Sequence, residues 1–154
     1  MSFWLKFHLM LKQLLSLFDR DLSLLAKEVG LYANDESLWA LAPGIANSGG
    51  NLVLHLCGNL RHYIGFHLGG IEYRRDRVAE FSVRGLSRAE LLARIEVARQ
   101  AVATLATLDA ARLDETFPEE ALGFPMTVGF FLIHLNGHLR YHTGQVNYHR
   151  RLLA

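Results

Sequence analysis

The sequence predicts an all-α fold, and three observations carry that reading. Apolar residues recur at helical spacing through four long stretches of the chain. No stretch sustains the two-residue alternation of a half-buried strand, so no sizeable sheet is expected. The stretches are also bounded by helix punctuation, namely Gly30, Gly69-Gly70 and the capping box Ser87-Arg88-Ala89-Glu90.

The first helix is expected from about Phe3 to Val29. Phe7, Leu11, Leu14, Phe18, Leu22 and Leu25 mark its apolar face, and Gly30 stops it. A connection follows through Asn34-Asp35-Glu36, with a turn of helix over Ser37–Ala42, and then Pro43-Gly44. The second helix covers roughly Ala46 to Leu68. The third starts after Ser87 and ends near Leu108. The fourth starts near Thr127 and runs almost to the C-terminus. Helices of this length imply an antiparallel bundle. The link from Gly69 to Leu86 is long enough, if extended, to span a bundle helix of roughly 30 Å. That crossover lets the third helix run parallel to the second, in up-down-down-up order.

A chain of 154 residues, 51% apolar and 20% charged, is read as one globular domain over residues 1–154. Its net charge of +1 argues against nucleic acid or a membrane surface as a partner. The single cysteine, Cys57, rules out an internal disulfide and fits a reducing compartment. The apolar N-terminal run is interrupted by Lys6, Lys12 and Gln13 with no small-residue cleavage site after it. It is read as an amphipathic core helix of a cytoplasmic protein.

The chemistry lies in the histidines. His134, His138 and His142 are successive i+4 positions on the last helix, so they form one stripe. Two imidazoles one turn apart can bind one metal ion, and His55, centred in the second helix, can complete a facial set of three. Three protein ligands with an open position is the arrangement of a catalytic site. Spacing alone leaves open which pair of the stripe is used, and whether these are core histidines bonded to neighbours. Leu135 follows His134 and Leu139 follows His138, so the glutamate of a zinc protease is absent. The inward Glu-x-x-His pairs of a ferritin-like di-iron site are absent too. A neutral, nitrogen-rich set suits Zn, Ni, Fe or Cu better than Mg or Ca.

Asn51 and Asn59 flank His55 by four residues on either side, and Gln145 follows His142 by three. They are candidates for holding imidazole tautomers or a bound water, or for ordinary capping and amide bonding. Cys57 points away from His55 on the helix and reads as a small buried hydrophobe. The run Tyr73–Phe81 is dense in arginine. Its weightier reading is a loop ion-paired through Asp76 and Glu80; the functional one makes Arg74, Arg75 and Arg77 an anion clamp at the metal's mouth. His8, His62, His67 and His149 show no pairing and read as surface or capping residues.

The tracts Asn51–Leu56 and His138–Gln145 together resemble the DinB/YfiT-like superfamily of metal-dependent enzymes. The tracts Asn47–Gly65 and Tyr73–Phe81 are similar to one bacterial branch of it. The resemblance implies that His55, His138 and His142 hold one divalent transition metal, Zn or Ni foremost. It selects His138 and His142 through the Gly144-Gln145 step and leaves His134 as a proton shuttle or a core residue. It also implies an up-down-down-up four-helix bundle, often dimeric. Several relatives use bacillithiol, mycothiol or glutathione, so a low-molecular-weight thiol is the expected cofactor and a small molecule the expected substrate.

Three functions compete. The first is transfer of a small thiol onto an electrophile. The second is hydrolysis by metal-activated water, which needs a base beside the metal. The third is a binding or stress-response protein in which metal only stabilises the fold, which needs a closed site.

Overall fold

The computed structural model describes residues 3–153, with side chains from His8 onward. The side chains of Phe3, Trp4 and Phe7, expected on a core or partner face, lie outside the described residues. Five α-helices carry the fold: α1 (Phe3–Gly30), α2 (Gly49–Leu60), α3 (Arg77–Ser82), α4 (Arg88–Ala103) and α5 (Val128–Leu152). Among the described residues no strand forms; a single isolated bridge joins Thr116 and Thr127. No helix among them is long and apolar enough to cross a membrane.

The helices α2, α4 and α5 start where their sequences supply a cap. Ser48 accepts from the Asn51 N–H, so α2 begins at Gly49 rather than at Ala46. Ser87 and Glu90 form the expected capping box on α4. Thr127 accepts from the Phe130 N–H at the start of α5. α4 ends at Ala103, earlier than expected, because the chain tightens into a 3-10 turn over Thr104–Thr107. The expected turn of helix after Asn34 is a 3-10 turn over Glu36–Leu38.

Two local features depart from the sequence reading. The link from Gly69 to Leu86 is not extended throughout. Asp76 accepts from the Ala79 N–H and starts the six-residue α3. Beyond Leu60, α2 continues as a π-helical segment over Arg61–Phe66, which widens the turn without breaking the rod.

The long helices form a closed circuit of neighbours: α1 packs on α5 and α4, and α2 packs on α4 and α5, with α3 lying against α2. Their shared core is one cluster running from Leu11, Phe18 and Leu22 through Leu56, Leu60, Ile95 and Phe131 to Leu139 and Val146. α2 is buried along its whole length, so its polar residues must find partners inside the protein.

Candidate metal centre

α2 and α5 bring His55, His138 and His142 together, with one ring nitrogen of each within 4.8 Å of the others. His55 Nε2 lies 3.3 Å from His138 Nε2. The His142 ring stands edge-on to both, with centroids 4.5 Å from His138 and 5.3 Å from His55. The opposite nitrogens of two rings are engaged by acceptors. His55 Nδ1 donates to Glu80 Oε2 at 2.9 Å, and His142 Nδ1 donates to Gln145 Oε1 at 2.5 Å. Each bond fixes a tautomer with Nδ1 protonated, which leaves Nε2 with a free lone pair.

Glu80 was placed by sequence in an ion-paired loop, and its contact with His55 was not foreseen. Its carboxylate is 5% exposed. It takes two bonds from Arg75, at 2.7 and 2.9 Å, in addition to the one from His55. Burial alone would raise its pKa; Arg75 and then His55 outweigh that and hold it below the usual range. The carboxylate reaches His55 because Gly58, one turn along, has no side chain: a Cβ there would collide with Glu80. Asn51 bonds no histidine. Its amide donates to the carbonyls of Glu80 and Val83, at 2.9 and 3.0 Å, and so anchors the segment that carries Glu80.

The remaining candidate residues divide. His138 Nδ1 is buried without a partner. His134 stacks on Phe131 and on His138, with centroids 5.8 and 6.2 Å away. A cavity of about 230 Å³ opens beside the histidines, lined by His55, Asn59, Tyr63, Arg75, Arg77, His134 and His138, with Ala121 and Leu122 at its wall. Asn59 is at this wall and makes no hydrogen bond to His55; its Oδ1 is buried without a partner among the described residues. The three arginines do not form one clamp. Arg75 is committed to Glu80, and Arg74 lines a separate cavity with Arg61 and Arg94, behind α3. Arg77 alone lines the histidine cavity without an ion-pair partner among the described residues. Asp76 caps α3 and makes no ion pair among the described residues. Cys57 is buried on the far side, and burial pushes its thiol up to about 12, so it stays an inert thiol.

The donor set fits a transition-metal cation. Burial first, then the neighbouring His142, His55 and His134, lower the His138 pKa to about 3. His142 is lowered by burial, against the hydrogen bond it donates to Gln145. Both rings are therefore neutral at neutral pH, with lone pairs available. Two imidazole Nε2 atoms facing each other at 3.3 Å, with His138 resisting protonation, suit a cation other than a proton.

A family model described as the DinB superfamily matches residues 28–146, which include the three histidines and Glu80. The chain belongs to the DinB superfamily. No curated protein matches it.

Three histidines read as surface or capping residues prove otherwise. His149 is buried, receiving or giving a bond with Tyr32 Oη at 2.7 Å and reaching Ala40 O at 2.9 Å. His62 and His67 converge on Glu119, as developed below.

Proposed function

We propose that the protein is a metal-dependent enzyme that transfers a small thiol to an electrophile, with His55, His138 and His142 holding one divalent metal, Zn or Ni foremost. The observation that carries this reading is the set of three converging imidazoles beside an open, arginine-flanked cavity. Such a metal, when bound, would lower the pKa of a sulfhydryl placed at the open position. The protein's own residues supply the rest. Glu80 and Gln145 hold the tautomers. Arg77 is placed to attract a carboxylate of the incoming thiol. His134, exposed on the same stripe, is the acceptor for the sulfhydryl proton. Hydrolysis is the weaker reading, because no carboxylate is among the residues lining the cavity and Glu80 is occupied by Arg75 and His55. A closed structural site is weaker still, because the cavity reaches His55 and His138.

The same reading takes the closed circuit of long helices as a single-domain, up-down-down-up four-helix bundle. It takes the protein as a cytoplasmic homodimer. Support for the dimer is an exposed apolar stripe on α5, where Phe130, Ile133, Tyr141 and Tyr148 are each at least half exposed. The test of the reaction uses protein loaded with Co(II) and a panel of bacillithiol, mycothiol and glutathione. A sulfur-to-cobalt charge-transfer band is expected with at least one thiol and should vanish in His142→Ala. Full cobalt loading without a band from any thiol would refute thiol transfer.

A further inference from the structure

We infer that the chain carries a second metal site, formed by His62, His67 and Glu119, which takes a divalent transition metal and fastens the 115–127 segment to the end of α2. His62 and His67 are five residues apart. On a regular α-helix that spacing turns the two side chains about 140° away from each other. The π-helical segment Arg61–Phe66 removes this divergence. Its widened turn, closed by a His67 N–H to His62 O bond of 3.3 Å, sets residues five apart on one face. The rings then stand 4.9 Å apart, edge to face. π-helical turns are uncommon and cluster where side chains must be re-aimed for a task.

Both Nε2 atoms point at the same oxygen. His62 Nε2 lies 2.9 Å and His67 Nε2 3.1 Å from Glu119 Oε2. His62 Nδ1 is buried without a partner, so this ring has no hydrogen bond within the protein other than the one to Glu119. Two imidazoles and one carboxylate with an open position is an established zinc ligand set. Tetrahedral zinc with bonds of about 2.0–2.1 Å sets its ligand atoms roughly 3.3 Å apart, so the two histidine-to-carboxylate distances need to open by only a few tenths of an ångström. The two histidine side chains are 19% and 16% exposed and Glu119 is 43% exposed, so a cation and its remaining water can reach the site.

Glu119 lies in a segment with little regular structure, closed by Phe117 N–H to Met126 O at 2.8 Å. Ala121 and Leu122 of that segment form part of the wall of the histidine cavity. A metal tying Glu119 to α2 would therefore fix that wall. The role is positional, and it does not depend on what the first site catalyses.

The test is zinc stoichiometry by elemental analysis of full-length protein after equilibration with micromolar zinc and dialysis. Wild type should hold two equivalents. The double variant His138→Ala/His142→Ala should hold one, and adding Glu119→Ala to it should leave none. Glu119 is half-exposed on a loop, so Glu119→Ala tests the site without a core substitution; His67→Ala should give the same result. In the double-variant background, hydrogen exchange over residues 117–126 should slow on zinc addition and lose that response with Glu119→Ala. No zinc on the double variant, or an equivalent that survives Glu119→Ala, would overturn the second site. Retention of both equivalents by the double variant that drops to one with Glu119→Ala would instead refute the three-histidine site and leave this one standing.

Discussion

Removing the Glu80 carboxylate should cost stability and metal affinity together, because one side chain serves both. In Glu80→Ala the Arg75 guanidinium, whose side chain is only 12% exposed, loses both of its charge-assisted bonds. Stranding one member of a buried ion pair typically costs about 3–5 kcal/mol. Arg75 can turn part of its head toward the cavity, so the lower end, about 3 kcal/mol, is expected here. For a chain of this length that corresponds to a fall in melting temperature of roughly 6–12 °C. His55 loses the acceptor that fixes its tautomer, and loss of such a partner usually lowers metal affinity about 10–100-fold. Glu80→Gln keeps an oxygen for His55 Nδ1 and should recover most of the affinity, with a smaller stability loss of about 1–2 kcal/mol. Urea denaturation of the metal-free variants and competitive zinc titration against a chelating dye separate the two effects. Wild-type zinc affinity in Glu80→Ala would show that Glu80 is a structural ion-pair partner with no part in orienting His55.

Gly58→Ala should weaken zinc binding by about tenfold, because its Cβ must displace the Glu80 carboxylate from His55; unchanged affinity in a dye-competition titration would contradict that close approach. Stability of the metal-free protein should fall as pH drops below 6.5. His138 binds protons when unfolded near its ordinary value of 6.5 but resists them in the fold down to about 3, so the unfolded state gains protons first. The contribution is fully present above pH 6.5; its loss by pH 5 is about 1–2 kcal/mol after allowance for solvent screening. The depressed Glu80 carboxyl acts in the same direction at lower pH, losing its contribution as pH falls below its ordinary 4.5. Urea midpoints from pH 7 to 5 should shift less in His138→Gln. Chelation should lower the melting temperature yet leave the helical circular dichroism intact at room temperature, because the apolar core is continuous without any metal; a random-coil spectrum would contradict this.

The sequence made the long helices legible because their apolar faces recur without interruption and their ends carry Ser48, Ser87 and Thr127 as caps. The convergence of α2 and α5 through His55, His138 and His142 was legible only with the help of a family resemblance; i+4 spacing alone left His134 equally eligible. α3 escaped because six residues give no period to read. Glu80 could be seen as a charge among arginines, but its bond to His55 spans 25 residues and rests on the missing side chain of Gly58. His62 and His67 were misread for a sharper reason. Helical periodicity assumes 3.6 residues per turn, and the π-helical turn that aligns them leaves no mark in the apolar pattern. His149 is satisfied by Tyr32 and Ala40, more than 100 residues away, which no local rule anticipates.

The central claim is that His55, His138 and His142 share one metal ion, and anomalous diffraction tests it most directly. Crystals of zinc-loaded protein measured on either side of the zinc edge should show a peak bonded at about 2.0–2.1 Å to one nitrogen of each of the three rings. A map with no anomalous density there, even with a peak at His62, His67 and Glu119, would contradict the claim.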